Sequence, residues 1–196
     1  MGLELSRSKQ VAAIAVFSAT ALALNQVLRI PAPYAPFLKY EIWEIPIILA
    51  LLIFGLRVGF TVTIINYLVL QATPQGVLSG PIYNLVAVLS MLLGVILARN
   101  LGHRFISSNK ILMLVLLCTT LTAVLRVVIM TLMNATLLPY SPPIGYNIPI
   151  DQLPWMLILI GIFNATVAMY TIPAAYLLLK AVSIRSTIPA WFLQRR

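Results

Sequence analysis

The sequence predicts an all-α membrane protein: a bundle of six transmembrane helices, one domain over 1–196, with both termini on the cytoplasmic side. Three observations carry this. The chain is 61% hydrophobic and 9% charged, against roughly a quarter charged in soluble domains, so lipid is the solvent for most of its surface. Its apolar residues fall into runs of bilayer-spanning length. Its basic residues lie on alternate connections between those runs.

The first span is Gln10–Leu28. Arg7 and Lys9 precede it as in a signal peptide, but the run is longer than a signal core and no clear cleavage site follows, so it is expected to be retained. Ile42–Ala72 is too long for one span, and a single helix would hold Arg57 at mid-bilayer at a cost of about 3 kcal/mol or more. Gly55-Leu56-Arg57-Val58-Gly59 reads as a tight turn that sends Arg57 to water, leaving two short helices over about 42–56 and 58–72. The fourth span is about 82–98, the fifth 111–138 and the sixth 153–182, with Pro173 expected to kink the last.

With the N-terminus inside, Arg7, Lys9, Arg57, Arg99, Arg104, Lys110, Lys180, Arg185, Arg195 and Arg196 face the cytoplasm. Only Arg29 and Lys39 face outward, and Arg126 falls within a span. The net charge of +9 is thus a topology signal and implies no nucleic-acid partner. Prolines gather on the outer connections instead, from Pro31, Pro33 and Pro36 through Pro74 and Pro81 to Pro142, Pro143 and Pro149, and stiffen them. Tyr34, Phe37, Tyr40, Tyr140, Tyr146 and Trp155 accompany them, either as an interfacial belt or as a lid over a pocket for a flat ligand. Two helices of about 22 Å leave part of a ~30 Å core unspanned, which places a recess on the outer face.

Catalytic chemistry is sparse. The acids are Glu4, Glu41, Glu44 and Asp151, read as lying at span edges, and the histidine is His103 in a basic loop. No metal-ligating cluster, nucleophile turn or phosphate-binding Gly-Lys loop is present, so neither an enzyme nor an ATPase is expected, and no metal or resident cofactor. Cys118 in an apolar run reads as a packed thiol. Within the spans, Asn66, Asn84, Asn134 and Asn164 can either fasten helices or hydrogen-bond a solute. Arg126, midway along span five, must face the interior and meet either a structural partner such as helix-end carbonyls or an anionic ligand. Ala15, Ala19 and Ala23, with Ala12 before them, form a small-residue ladder, for packing within the bundle or for docking a separate membrane subunit.

These segments resemble the substrate-binding S components of energy-coupling factor (ECF) vitamin transporters, in particular the riboflavin-specific ones. Pro33-Tyr34-Ala35-Pro36-Phe37-Leu38-Lys39-Tyr40-Glu41-Ile42-Trp43-Glu44-Ile45-Pro46 is similar to the family's P-F-A-P-F-L-K segment, two acids and I-P. Phe54-Gly55, Asn66, Tyr83-Asn84-Leu85, Met133-Asn134 through Leu138-Pro139, and Phe163-Asn164 resemble further family positions in the same order, and the alanine ladder matches its A-x-x-x-A. The resemblance covers about Ala12 to Leu179. It implies a subunit of the plasma membrane that captures riboflavin outside and docks on a transmembrane coupling subunit carrying two ATPases.

The solute-contacting set it implies, with the residues above, is Tyr34, Phe37, Leu38, Lys39, Asn66, Tyr83, Asn84, Arg126, Asn134 and Asn164, with Ala15, Ala19 and Ala23 for docking. Val167 stands where the family often has lysine. That difference, with Arg126, keeps riboflavin phosphate (FMN) or another anionic vitamin open as the transported ligand. A self-sufficient small carrier and a scaffold protein that binds no solute are the other readings.

Overall fold

The computed structural model describes residues 6–27, 29–73, 79–105, 110–185 and 190–194. Glu4, Leu28, Pro74, Arg195 and Arg196, named above, lie outside the described residues. Six helices follow one another as α1 (Arg7–Val27), α2 (Glu44–Phe54), α3 (Leu56–Ala72), α4 (Ser79–Phe105), α5 (Ile111–Leu137) and α6 (Leu153–Arg185). Helices α1, α4, α5 and α6 are long and apolar enough to cross a membrane, whereas α2 and α3 are shorter apolar helices. Outward-facing Val16, Leu68, Leu97, Leu116, Leu132, Met169 and Leu177 are exposed. Such a surface suits lipid rather than water.

Several expected boundaries move. The break between the short helices falls at Gly55, whose φ of 89° no L side chain adopts without strain, so α2 is shorter and α3 longer than read. The Gly55 amide still caps α2 by donating to the Leu51 carbonyl, and Arg57 in the first turn of α3 is exposed as the turn reading required. Helices α4 and α6 extend past their apolar runs into polar ends, because backbone hydrogen bonding carries a helix beyond its buried stretch. Pro173 lies inside the single helix α6.

The proline-rich segment after α1 is an antiparallel hairpin of β1 (Ile30–Ala32) and β2 (Ala35–Tyr40), an addition to the all-helical expectation. A two-stranded ribbon has only edge strands, where proline's missing N–H is tolerated. After α5 the chain folds back on itself: the Tyr146 and Ile148 amides both donate to the Leu138 carbonyl. A Cβ on Gly145 would stand 2.0 Å from the Leu137 carbonyl oxygen, so this close approach requires glycine.

The core centres on α2. It is apolar all round and nearly every residue from Pro46 to Ile53 is buried, among α1, α3, α4 and α6. At the end away from the hairpin a short 3₁₀ turn, Trp191–Leu193, closes the bundle. Arg99 Nη2 donates to the carbonyls of Trp191 (2.9 Å) and Gln194 (2.5 Å), and its guanidinium stacks 4.0 Å from the Trp191 ring centroid. Phe192 is buried in the core.

Candidate functional site

The hairpin packs against α6. Tyr40 packs on Phe163 (ring centroids 5.0 Å apart) and edge-on to Tyr170 (6.3 Å), and the Tyr170 hydroxyl donates to the Glu41 carbonyl at 2.5 Å. The Tyr34 and Tyr40 hydroxyls are 2.5 Å apart, so the hairpin's tip and its base are tied together. Glu41 accepts from Trp43 Nε1 at 2.7 Å and pairs with Arg29 Nε at 3.2 Å. Burial pushes the Glu41 carboxyl above its ordinary range, against the opposing pull of the Trp43 bond and Arg29.

One step deeper lies a buried ion pair. Arg126, midway along α5, meets Glu44 at the start of α2, with Nη1–Oε2 2.6 Å and Nη2–Oε1 2.9 Å, a two-pronged arrangement. Its Nε donates to Asn164 Oδ1 at 2.9 Å, and Nη1 also contacts Met91 Sδ on α4. Arg126 is 2% and Glu44 5% exposed. Four helices thus meet at one guanidinium, and losing one partner of so buried a pair costs about 3–5 kcal/mol. Glu44 is also the first residue of α2, where the helix N-terminus favours a negative charge.

This pairing corrects the reading that the acids sit at span edges. Glu44 begins its helix, yet that helix begins inside the bundle. A signal was available: an arginine in mid-span requires a counter-charge, and the chain offers only four acids.

The other candidate residues fall into distinct places. Asn66 and Asn84 line a narrow cleft between α3 and α4, together with Trp43, Thr63, Tyr67 and Val88. Asn66 is buried and its Nδ2 has no hydrogen-bond partner among the described residues. Tyr83, packed edge-on to Tyr146 at 6.0 Å, likewise buries an unpartnered hydroxyl. Asn134 and Asn164 are buried and each donates Nδ2 to the carbonyl one turn back, Met130 (2.6 Å) and Ile160 (2.9 Å). Asn164 is joined to Arg126, but no hydrogen bond links Asn134 to them. Tyr34, Phe37 and Lys39 are exposed on the hairpin, and Leu38 is half-buried. Val167 is 3% exposed and apolar, one turn along α6 from Asn164.

Sequence reading missed Phe163 and Tyr170 as hairpin anchors, since aromatic residues on a lipid-embedded helix carry no sign of their partner. The alanine ladder is clearer. Ala15, Ala19 and Ala23 are all exposed, while α1 turns Ala13, Ser18, Ala21 and Asn25 into the bundle. The ladder is therefore free of internal packing.

No protein-family model matches the sequence, and no curated protein matches it. The fold is similar to a solved structure, the S component of a bacterial ECF transporter, with a TM-score of 0.68 at 21% identity, covering 92% of this chain and 98% of that one. At that identity the likeness establishes the fold.

Proposed function

We propose that this chain is the solute-binding S component of an ECF-type vitamin importer, and that its solute is riboflavin. The observation that carries the reading is the fold match over nearly the whole of both chains. Two features of this chain support it. The hairpin (Tyr34, Tyr40), the start of α4 (Tyr83) and the loop after α5 (Tyr146) carry aromatic rings and the bundle holds buried amides, a combination suited to a flat ring with a polar edge and a hydroxylated tail. The exposed ladder on α1 offers a close-approach face for another helix.

On this reading the subunit sits in the plasma membrane with the hairpin outward and performs no chemistry itself. It delivers solute to a transmembrane coupling subunit driven by two ATPases. The amides orient the solute: Asn84 and Asn66 from the α3–α4 side, Asn134 and Asn164 from the α5–α6 side. The hairpin closes over it, with Phe37, Leu38 and Lys39 along its strand.

Tryptophan-fluorescence titration of the detergent-purified subunit with riboflavin tests the solute. Saturable quenching at one equivalent is the expected result, and its absence rules riboflavin out. Uptake by proteoliposomes carrying this chain alone would instead establish a self-sufficient carrier.

A further inference from the structure

We infer that Glu44 is a specificity-determining residue: by neutralising Arg126 it fits the site to an uncharged solute and turns away the anionic form of the same molecule. The inference rests on the solute-binding reading above and names the charge class that such a site accepts.

An arginine held in the middle of a membrane bundle is ordinarily an attractor for anions, since its bare charge in low dielectric is costly. Here that attraction is already satisfied. Both terminal nitrogens of Arg126 are bonded to the Glu44 carboxylate and Nε to Asn164, so the charge is matched and the donors are directed at protein. A phosphate or carboxylate arriving beside the cluster would compete with Glu44 for the guanidinium, and two anions at one buried cation repel each other.

Neighbouring charges do not change the balance. In the hairpin half of the molecule, the cations Arg29, Lys39 and Arg126 are matched in number by the carboxylates Glu41, Glu44 and Asp151, and Arg29 is itself paired to Glu41. Val167 adds no charge on the α6 side. The cluster is also well placed to read the solute. Its members come from the first turn of α2 (Glu44), from α5 (Arg126) and from α6 (Asn164), and Asn164 also belongs to the proposed solute-contacting set.

The test compares riboflavin and riboflavin 5′-phosphate by fluorescence titration of wild type, Glu44→Gln and the double variant Glu44→Gln/Arg126→Gln. Wild type should prefer riboflavin. Glu44→Gln, which leaves Arg126 uncompensated, should shift the preference toward the phosphate by roughly tenfold to a hundredfold. The double variant, again neutral, should return it toward wild type. A wild type that binds the phosphate as tightly as riboflavin, or a folded Glu44→Gln with an unchanged ratio, overturns the inference.

If neither flavin binds, the riboflavin reading fails but the charge argument is still decided, by thermal unfolding in increasing sulfate at constant ionic strength. Glu44→Gln should be stabilised by sulfate while wild type and the double variant are not. Equal sulfate responses in all three proteins, or a wild type stabilised as strongly as Glu44→Gln, overturn it. Should Glu44→Gln not fold, the double variant is compared with wild type alone. It should accept the phosphate no better than wild type does, and a gain of about tenfold or more overturns the inference.

Discussion

The indole of Trp191 lies 3.1 Å from where a Cβ on Gly55 would stand, so the α2–α3 turn and the C-terminal 3₁₀ segment close on each other at one glycine. Gly55→Ala therefore meets two penalties: a backbone conformation (φ 89°, ψ −176°) essentially reserved for glycine, worth about 1–3 kcal/mol for an L residue, and the displaced ring. The expected result is a lower unfolding temperature in detergent. Trp191→Ala should remove the second penalty, so Gly55→Ala should cost less in the Trp191→Ala background. Additive losses would mean that the turn and the C-terminal segment act independently.

Orientation is checked by labelling. Cys118 is buried and gives little background. In intact cells an impermeant maleimide should label Tyr34→Cys and Tyr146→Cys, and should label Arg104→Cys only after permeabilisation. Labelling at position 104 from outside would reverse the assigned topology.

Exposure of Ala15, Ala19 and Ala23 makes the docking prediction specific. Ala15→Trp with Ala19→Trp should abolish co-purification with the coupling subunit and riboflavin uptake, while riboflavin affinity stays within about twofold of wild type. Loss of binding with assembly retained would place the solute, and not the partner, on this face.

Asn134→Ala and Asn164→Ala should each weaken riboflavin by about 1–3 kcal/mol, roughly 5- to 150-fold. The two should differ in stability. Asn164 accepts from Arg126, so its loss also leaves a buried guanidinium N–H unpaired and should lower the unfolding temperature more than the loss of Asn134 does. Calorimetry of the two variants separates these effects. Equal stability losses would argue against a structural share in the Arg126–Asn164 bond.

Much of the fold was legible because lipid imposes few solutions. Hydropathy marks the helices, and the cost of a charge in mid-bilayer called for a break beside Arg57, two residues from where it falls at Gly55. Legibility ended where one segment's conformation depends on a distant partner. The prolines of Ile30–Phe37 read as a stiffened connection, but that it pairs as a hairpin with Tyr40 against Phe163 and Tyr170 does not show in the sequence. Trp191 and Phe192 carry no mark of a partner in the sequence, and their docking shows in Arg99 and His103, about 90 residues earlier. Arg126 was identified as needing a partner, whereas Glu44 was not identified as that partner. The first residue of α2 is buried against α5, and such burial of a helix start is not written in hydropathy. The ladder on α1 was visible as a pattern, but which way it faces required the packing of Ala13, Ser18, Ala21 and Asn25.

The brevity of α2 has a consequence for the surrounding bilayer. Eleven residues make a helix of about 16 Å, roughly half a typical hydrocarbon thickness. At the protein's rim such a helix would force lipid to thin or expose polar backbone to acyl chains. Helix α2 is instead sheathed by α1, α3, α4 and α6, so its shortfall meets protein rather than lipid. The rim is set by helices of up to 33 residues, long enough to span with tilt to spare. The shortfall of α2 is thus met inside the bundle, and the one short helix that reaches the rim is α3, whose 17 residues make about 25 Å and which turns Phe60, Leu68 and Val69 outward.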